Sequence, residues 1–187
     1  MQQKSLRTIG FIGGTGPEGR GLALRFALAG EDVVIGSRDH RRAEAAAHRV
    51  AAYVPAARIR AALNADVARM SDVVFLAVPY IGQQETLKKL SRHLSGKVVV
   101  DVVAPLSFDG GKVSTVRVDE GSAALQAQAI LTESHVVAAF QTLSAQDLLI
   151  PGGTIEADVV VCSNVDDAKK LVIELAEKIQ GVRGVDG

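Results

Sequence analysis

Apolar and polar positions along this chain follow two rhythms that alternate almost from end to end. Unbroken apolar runs predict strands at TIGFIG (8–13), DVVIGS (32–37), DVVFLAV (72–78), KVVVDVV (97–103), HVVAAF (135–140) and DVVVC (158–162), with a weaker one at RIRAAL (58–63). Helical spacing predicts helices over 17–29, closed by Gly30, and over 41–53, ended by Pro55. A short helix is expected from about Asn64, and longer ones over 82–94, 121–131 and 166–179. KVSTVRV (112–118) alternates and reads as an added strand.

Strands without polar alternation suit a parallel sheet covered on both faces. Strand-helix alternation with short connections makes that an α/β fold, a right-handed, doubly wound, Rossmann-like parallel sheet with small C-terminal additions. One domain over 1–187 is expected, its core at 7–142 and its strand-helix additions at 143–187, where DVVVC would continue the same sheet.

Composition narrows the class. The 187 residues are 48% hydrophobic and 22% charged, a globular balance, and 21 basic residues meet 21 acidic ones. That neutrality gives no global field for nucleic acid. No apolar run approaches the roughly 20 residues needed to span a bilayer, and no signal-peptide pattern opens the chain. Cys162 is the only cysteine, so no intramolecular disulfide can form, and a cytoplasmic setting is expected. It ends an apolar run and reads as a buried thiol.

The chemistry begins at Gly14-Thr15-Gly16-Pro17-Glu18-Gly19, a G-x-G-x-x-G between the first strand and the first helix. Gly14 allows the tight turn, Gly16 lets a pyrophosphate approach the backbone, and Gly19 lets the helix pack close to the sheet. Pro17 suits the first helical position. Free N–H groups and the helix dipole then face the phosphates. Where an NAD site places an acidic residue after the second strand, this chain has Ser37-Arg38, then Asp39, His40, Arg41 and Arg42. Arginine forks match a phosphate, so NADP(H) is the expected dinucleotide, clamped by Ser37, Arg38 and Arg42. Asp39 is expected to cap the second helix and point away from the ribose.

Two small-Pro turns, Val78-Pro79-Tyr80 and Ala104-Pro105-Leu106, follow strands on the far side of the crevice and would wall the nicotinamide. No acid-base set or nucleophile accompanies them. The four histidines (His40, His48, His93, His135) lack metal-ligand spacing, and neither Tyr53 nor Tyr80 has a lysine four residues on. A reductase without its own proton donor is simplest if it passes hydride between two bound cofactors.

The stretches IGGTGPEGRGLALRFALAGEDVVIGSRD, LAVPY, DVVAPL, GSAALQAQAIL and VVAAFQTLSA resemble, in order, the NADPH-dependent reductases of the deazaflavin coenzyme F-420. The resemblance implies a homodimeric Rossmann enzyme moving hydride reversibly between NADP(H) and the deazaflavin. It places Thr15 to Glu18 on the pyrophosphate, and Ser37, Arg38 and Arg42 on the 2′-phosphate. Val78, Pro79, Ala104 and Ala145 would line the adenine-ribose and nicotinamide path. Gln141 stands where members of the family often carry a histidine beside the deazaflavin. The family's last helical segment, which adds to the deazaflavin pocket and the dimer, would follow Gly187. An NADPH-dependent flavin or ferric reductase, and a non-catalytic NADP-binding sensor or partner protein, remain open as alternatives.

Overall fold

The computed structural model describes residues 7–187. Strands β1 (Thr8–Ile12), β2 (Asp32–Ser37), β3 (Ile59–Leu63), β4 (Val73–Leu76), β5 (Val98–Asp101) and β8 (His135–Ala138) form one parallel sheet in the order β3-β2-β1-β4-β5-β8. The order reverses between β1 and β4, so the crevice at their carboxyl ends is the ligand position in such folds.

Side chains alternate between the two faces, as strand geometry requires. Phe11, Val33, Ile35, Phe75, Val100 and Val137 meet α1 (Pro17–Leu28), α2 (His40–Ala51) and α7 (Asp166–Ala176). Ile12, Val34, Leu76, Val99 and Val136 meet α3 (Asn64–Met70), α4 (Tyr80–Leu94) and α5 (Ala123–Ile130). Both faces are covered, which explains why the strands read as continuous apolar runs.

On the α1 face four phenylalanines interlock. Phe75 lies 5.1 Å from Phe11, 5.2 Å from Phe26 and 5.5 Å from Phe140, ring centre to ring centre. Phe140, just past β8, holds its backbone at φ 72° while its ring is 1% exposed. A bulky side chain seldom takes that left-handed conformation, which costs about 1–3 kcal/mol. The cluster holds the ring in place against that cost, and the turn brings Gln141 back over the end of β5.

Three expectations change. DVVVC does not extend the main sheet: β9 (Ala157–Val161) pairs in parallel with β10 (Val182–Asp186), and only an isolated bridge from Ala138 to Cys162 joins them to β8. Its inward residues are Val159 and Val161, while Asp158, Val160 and Cys162 face outward, so Cys162 is exposed rather than buried. The alternation of a one-faced strand overrode the apolar appearance of the run. KVSTVRV supplies only β7 (Lys112–Thr115), which forms an exposed hairpin with β6 (Leu106–Asp109) through Gly110 and Gly111. A short helix, α6 (Ala145–Leu148), and strands β6 and β10 carried no readable periodicity.

Candidate functional site

The turn after β1 is built for close approach. Gly13 takes φ 73°, and a Cβ there would stand 2.6 Å from Val78 Cγ1 and 2.8 Å from the Ala77 carbonyl. The left-handed position therefore falls on Gly13, one residue before the turn glycine expected from the motif, and it sets Val78 against the turn. The Gly14 N–H donates to the Gly36 carbonyl at 3.0 Å, tying the turn to β2. A Cβ on Gly19 would meet Gly14 Cα at 2.8 Å and Ala77 Cβ at 3.0 Å, so helix and turn touch.

Gly16 differs from these. It caps α1, Pro17 opens the helix, and a Cβ on Gly16 would meet nothing within 4 Å. The first helical bond runs from Arg20 N–H to the Gly16 carbonyl, so the N–H groups ahead of Arg20 precede the hydrogen-bonded helix. Open space over an unblocked helix N-terminus fits a pyrophosphate. Gly16→Ala is expected to leave the melting temperature of the ligand-free protein unchanged and to weaken NADPH about tenfold or more, read by thermal unfolding and by titration. Equal losses in both would mean that the space serves folding rather than the ligand.

Glu18 sits in the same turn, largely buried, with Oε1 lacking a hydrogen-bond partner among the described residues. Burial pushes its carboxyl from the ordinary 4.5 up to about 7. The folded pKa lies above the unfolded one, so the stability from this group is complete below about pH 4.3 and is lost as pH rises through 7. Glu18→Gln removes that loss. The two proteins should melt together near pH 4 and separate by on the order of 2 kcal/mol at pH 8, the variant being more stable. Parallel melting curves across that range would refute the assignment.

At the end of β2, Ser37 is buried and its Oγ accepts from the Asp39 N–H at 3.2 Å, which leaves the hydroxyl hydrogen to donate. Asp39 is the N-cap of α2: its Oδ1 accepts from the Arg41 N–H at 2.8 Å and the Arg42 N–H at 3.4 Å. Its charge is thereby turned into the helix, as expected from the sequence. Arg38, Arg41 and Arg42 are exposed around it. Arg38 also reaches toward α4. Glu85 is held below the usual carboxylate range first by Lys89, through a hydrogen bond and its charge, and then by Arg38.

On the other side of the crevice Pro79 caps α4, so that helix begins at Tyr80, two residues earlier than its leucine spacing indicated. Ala104 is exposed in the turn after β5. Gln141, past β8, donates from Nε2 to the Asp101 carbonyl at 2.8 Å. Ala145 is the first residue of α6, and its carbonyl lies 3.6 Å from where a Cβ on Gly21 of α1 would stand. The glycine turn, Ser37, Val78 and Ala104 thus follow the carboxyl ends of β1, β2, β4 and β5, Gln141 follows β8, and Ala145 opens α6 against α1.

Two contributors have no sequence signal. Asn64, opening α3, accepts from the Gly13 N–H through Oδ1 at 3.2 Å and so braces the phosphate turn. Asp101, ending β5, is wholly buried, and burial pushes its carboxyl up to about 7 against the pull of bonds from Val103 and Gln83. Neither belongs to a local motif, and both act on residues far away in the chain. Among the described residues no group of three or more histidine, cysteine, aspartate or glutamate side chains could hold a metal ion.

Comparison with known proteins gives this geometry a context. The sequence signature of the family "NADP oxidoreductase coenzyme F420-dependent" matches residues 8–105. The chain is 40% identical over 184 residues to an F420-dependent NADP reductase of Methanothermobacter marburgensis, covering 95% of this chain and 82% of that protein. It is 39% identical, with the same coverage, to one of Methanocaldococcus jannaschii. Among solved structures, a candidate F420-dependent NADP reductase from Arthrobacter sp. superposes with a TM-score of 0.79 at 28% identity, covering 97% of this chain and 85% of that one. A pyrroline carboxylate reductase of Plasmodium falciparum, solved with NADP bound, shares the fold at 16% identity and a TM-score of 0.64, over 96% of this chain and 57% of its own.

Proposed function

Because this chain belongs to the family of coenzyme F420-dependent NADP oxidoreductases, we propose that its crevice grips NADP(H) at the β1/β4 switch point and presents the nicotinamide to a deazaflavin. The protein is an oxidoreductase that transfers hydride reversibly between NADP(H) and coenzyme F420, with both as co-substrates.

Thr15, Gly16, Pro17 and Glu18 hold the pyrophosphate at the α1 N-terminus, with Gly14 shaping the turn. Ser37, Arg38 and Arg42 hold the 2′-phosphate, the Ser37 hydroxyl donating one hydrogen bond and the guanidinium forks the others. Arg41 faces solvent. Val78 and Pro79 line the middle of the path, with Ala104 and Ala145 completing its wall, and Gln141 contacts the deazaflavin. The observation that carries this site is the unfilled space above Gly16, together with a cap that bonds Asp39 to the start of α2 and leaves the arginines exposed.

The cofactors supply the chemistry, hydride passing between carbon 4 of the nicotinamide and carbon 5 of the deazaflavin. The chain's own part is to fix their distance, orient the two rings and keep water from between them. The acting unit is a homodimer in the cytoplasm, with residues 7–142 as the cofactor-binding core and 143–187 as its additions. No helix among the described residues is long and apolar enough to cross a membrane.

Mixing the protein with NADPH and oxidised deazaflavin in a stopped-flow instrument tests the reading. Bleaching of the deazaflavin band with NADPH, and not with NADH at the same concentration, is expected. Tight NADPH binding without bleaching, or bleaching of FMN instead, would transfer the assignment to another acceptor or to a binding protein.

A further inference from the structure

Asp101 combines features that the sheet alone does not call for. It is an acidic residue at 0% exposure, on a central strand between β4 and β8. Burying a carboxyl is costly unless its oxygens are bonded. Here both are: Oδ1 accepts from the Val103 N–H at 2.8 Å, and Oδ2 accepts from Gln83 Nε2 at 3.1 Å. Gln83, equally buried in the first turn of α4, uses its second N–H on the Ala123 carbonyl at 2.8 Å, at the start of α5. The Asp101 main-chain carbonyl accepts from Gln141. Asp101 thus joins the turn after β5, the first turn of α4 and Gln141 directly, and α5 through Gln83.

The chemistry explains why an aspartate stands there. Two acceptors on one short side chain are needed, one for the Val103 N–H and one for Gln83. Asparagine supplies one acceptor and one donor, and would set its NH2 against that of Gln83. Serine reaches only one of the two. An apolar residue would leave the Val103 N–H and a Gln83 N–H unbonded inside the protein. Val103 immediately precedes Ala104, so the bond from its N–H fixes the turn that carries Ala104. Gln141 is fixed by the same residue from the opposite side.

We propose that Asp101 is the positioning residue of the nicotinamide half: its carboxylate sets the Ala104 turn and the first turn of α4, and its carbonyl sets Gln141, so that the two rings meet at transfer distance. The inference rests on the reductase reading for the transfer step, while the placement of the nicotinamide wall can be tested without turnover. Asp101 touches neither cofactor and acts through Val103, Gln83 and Gln141.

Asp101→Asn is the test, read three ways against the parent. NADPH affinity, titrated without acceptor, should stay within about twofold, because the pyrophosphate and 2′-phosphate contacts are remote from the change. The emission gained by the dihydronicotinamide on binding should fall by about half or more, since its wall has loosened. The kcat for deazaflavin reduction should fall about tenfold or more, with a larger isotope effect from NADPH deuterated at carbon 4. Unchanged emission and kcat would overturn the proposal. So would affinity, emission and melting temperature all falling together, which is the signature of general damage. Should the variant fail to fold, Gln83→Met, which removes one bond to Asp101 at similar volume, is expected to give the same split with a smaller loss. A parent that binds NADPH but never bleaches the deazaflavin would refute the reductase reading, and the emission comparison would then decide Asp101 alone.

Discussion

Replacing Arg38 and Arg42 together by alanine is expected to weaken NADPH about a hundredfold while NADH changes less than about threefold. Each guanidinium offers charge-assisted hydrogen bonds worth about 1.5–3 kcal/mol, and the lower end applies to these exposed side chains. Two such losses amount to about 3 kcal/mol, or two powers of ten. The selectivity follows from location. Both arginines flank Ser37 and the Asp39 cap, beyond β2, the place proposed for the ribose phosphate, which alone distinguishes the two dinucleotides. Stability should move the other way. Arg42 lies in the first turn of α2, where the helix dipole disfavours a cation by a few tenths to ~1 kcal/mol, so the variant without ligand should melt no lower than the parent. Isothermal titration with both dinucleotides checks the claim. Equal weakening of NADPH and NADH would remove these residues from the 2′-phosphate.

A larger effect on stability is expected at Arg25, within α1. Its side chain is 4% exposed and feeds a whole loop. Nε donates to the Leu148 carbonyl at 3.0 Å, and Nη2 donates to those of Asp147 at 2.6 Å and Ile150 at 2.9 Å. Nη1 donates to the Gly153 carbonyl. Burial draws the pKa of Arg25 down and Asp147 partly restores it, but a guanidinium remains charged at any working pH. Arg25→Met keeps the apolar stem and removes every donor. With four carbonyls deprived of partners, and some recovered by water, the loss is about 4 kcal/mol. For a chain of this size that is a drop of about 10 °C in melting temperature, readable by circular dichroism. Arg25→Lys should recover part of it, since one ammonium can reach only some of the carbonyls. A shift below about 2 °C for Arg25→Met would show that the loop holds itself. NADPH affinity should also fall, because α6, which carries Ala145, packs on α1 through this contact. There a Cβ on Gly21 would come within 2.6 Å of Leu148 Cβ.

The sequence made the sheet legible because burial on both faces leaves a simple trace, a run with no polar alternation. The six parallel strands and the helices between them follow from that. The same reasoning misplaced β9, whose DVVV looks like a central strand although only its alternate residues are covered. Nothing in that run says which neighbour it will find. Strand β10, VRGVD, mixes charge with glycine and gives no rhythm at all. Local spacing made two features readable, the glycine turn ahead of α1 and the cap at Asp39. Asn64 and Gln83 were not, because their partners Gly13 and Asp101 lie 51 and 18 positions away. A hydrogen bond across that distance exists only once the sheet has formed. Gln141 stands out by resemblance, but its bond to the Asp101 carbonyl, 40 positions away, exists only in the folded sheet.

Phe140 has a consequence for how this protein can change over generations. Its backbone conformation suits glycine, and its ring suits the site between Phe26 and Phe75. A mutation to glycine would release about 1–3 kcal/mol of backbone strain and forfeit about 3–5 kcal/mol of buried ring. Leucine or isoleucine would keep the strain and fill the space less well. Each of these substitutions therefore leads downhill, although the position is not ideal in itself. A lineage could leave this local optimum only through coupled replacements, a smaller residue at 140 arriving with a larger one at 26 or 75. The bend that returns Gln141 to the Asp101 carbonyl is thus kept by the company of two other aromatic rings.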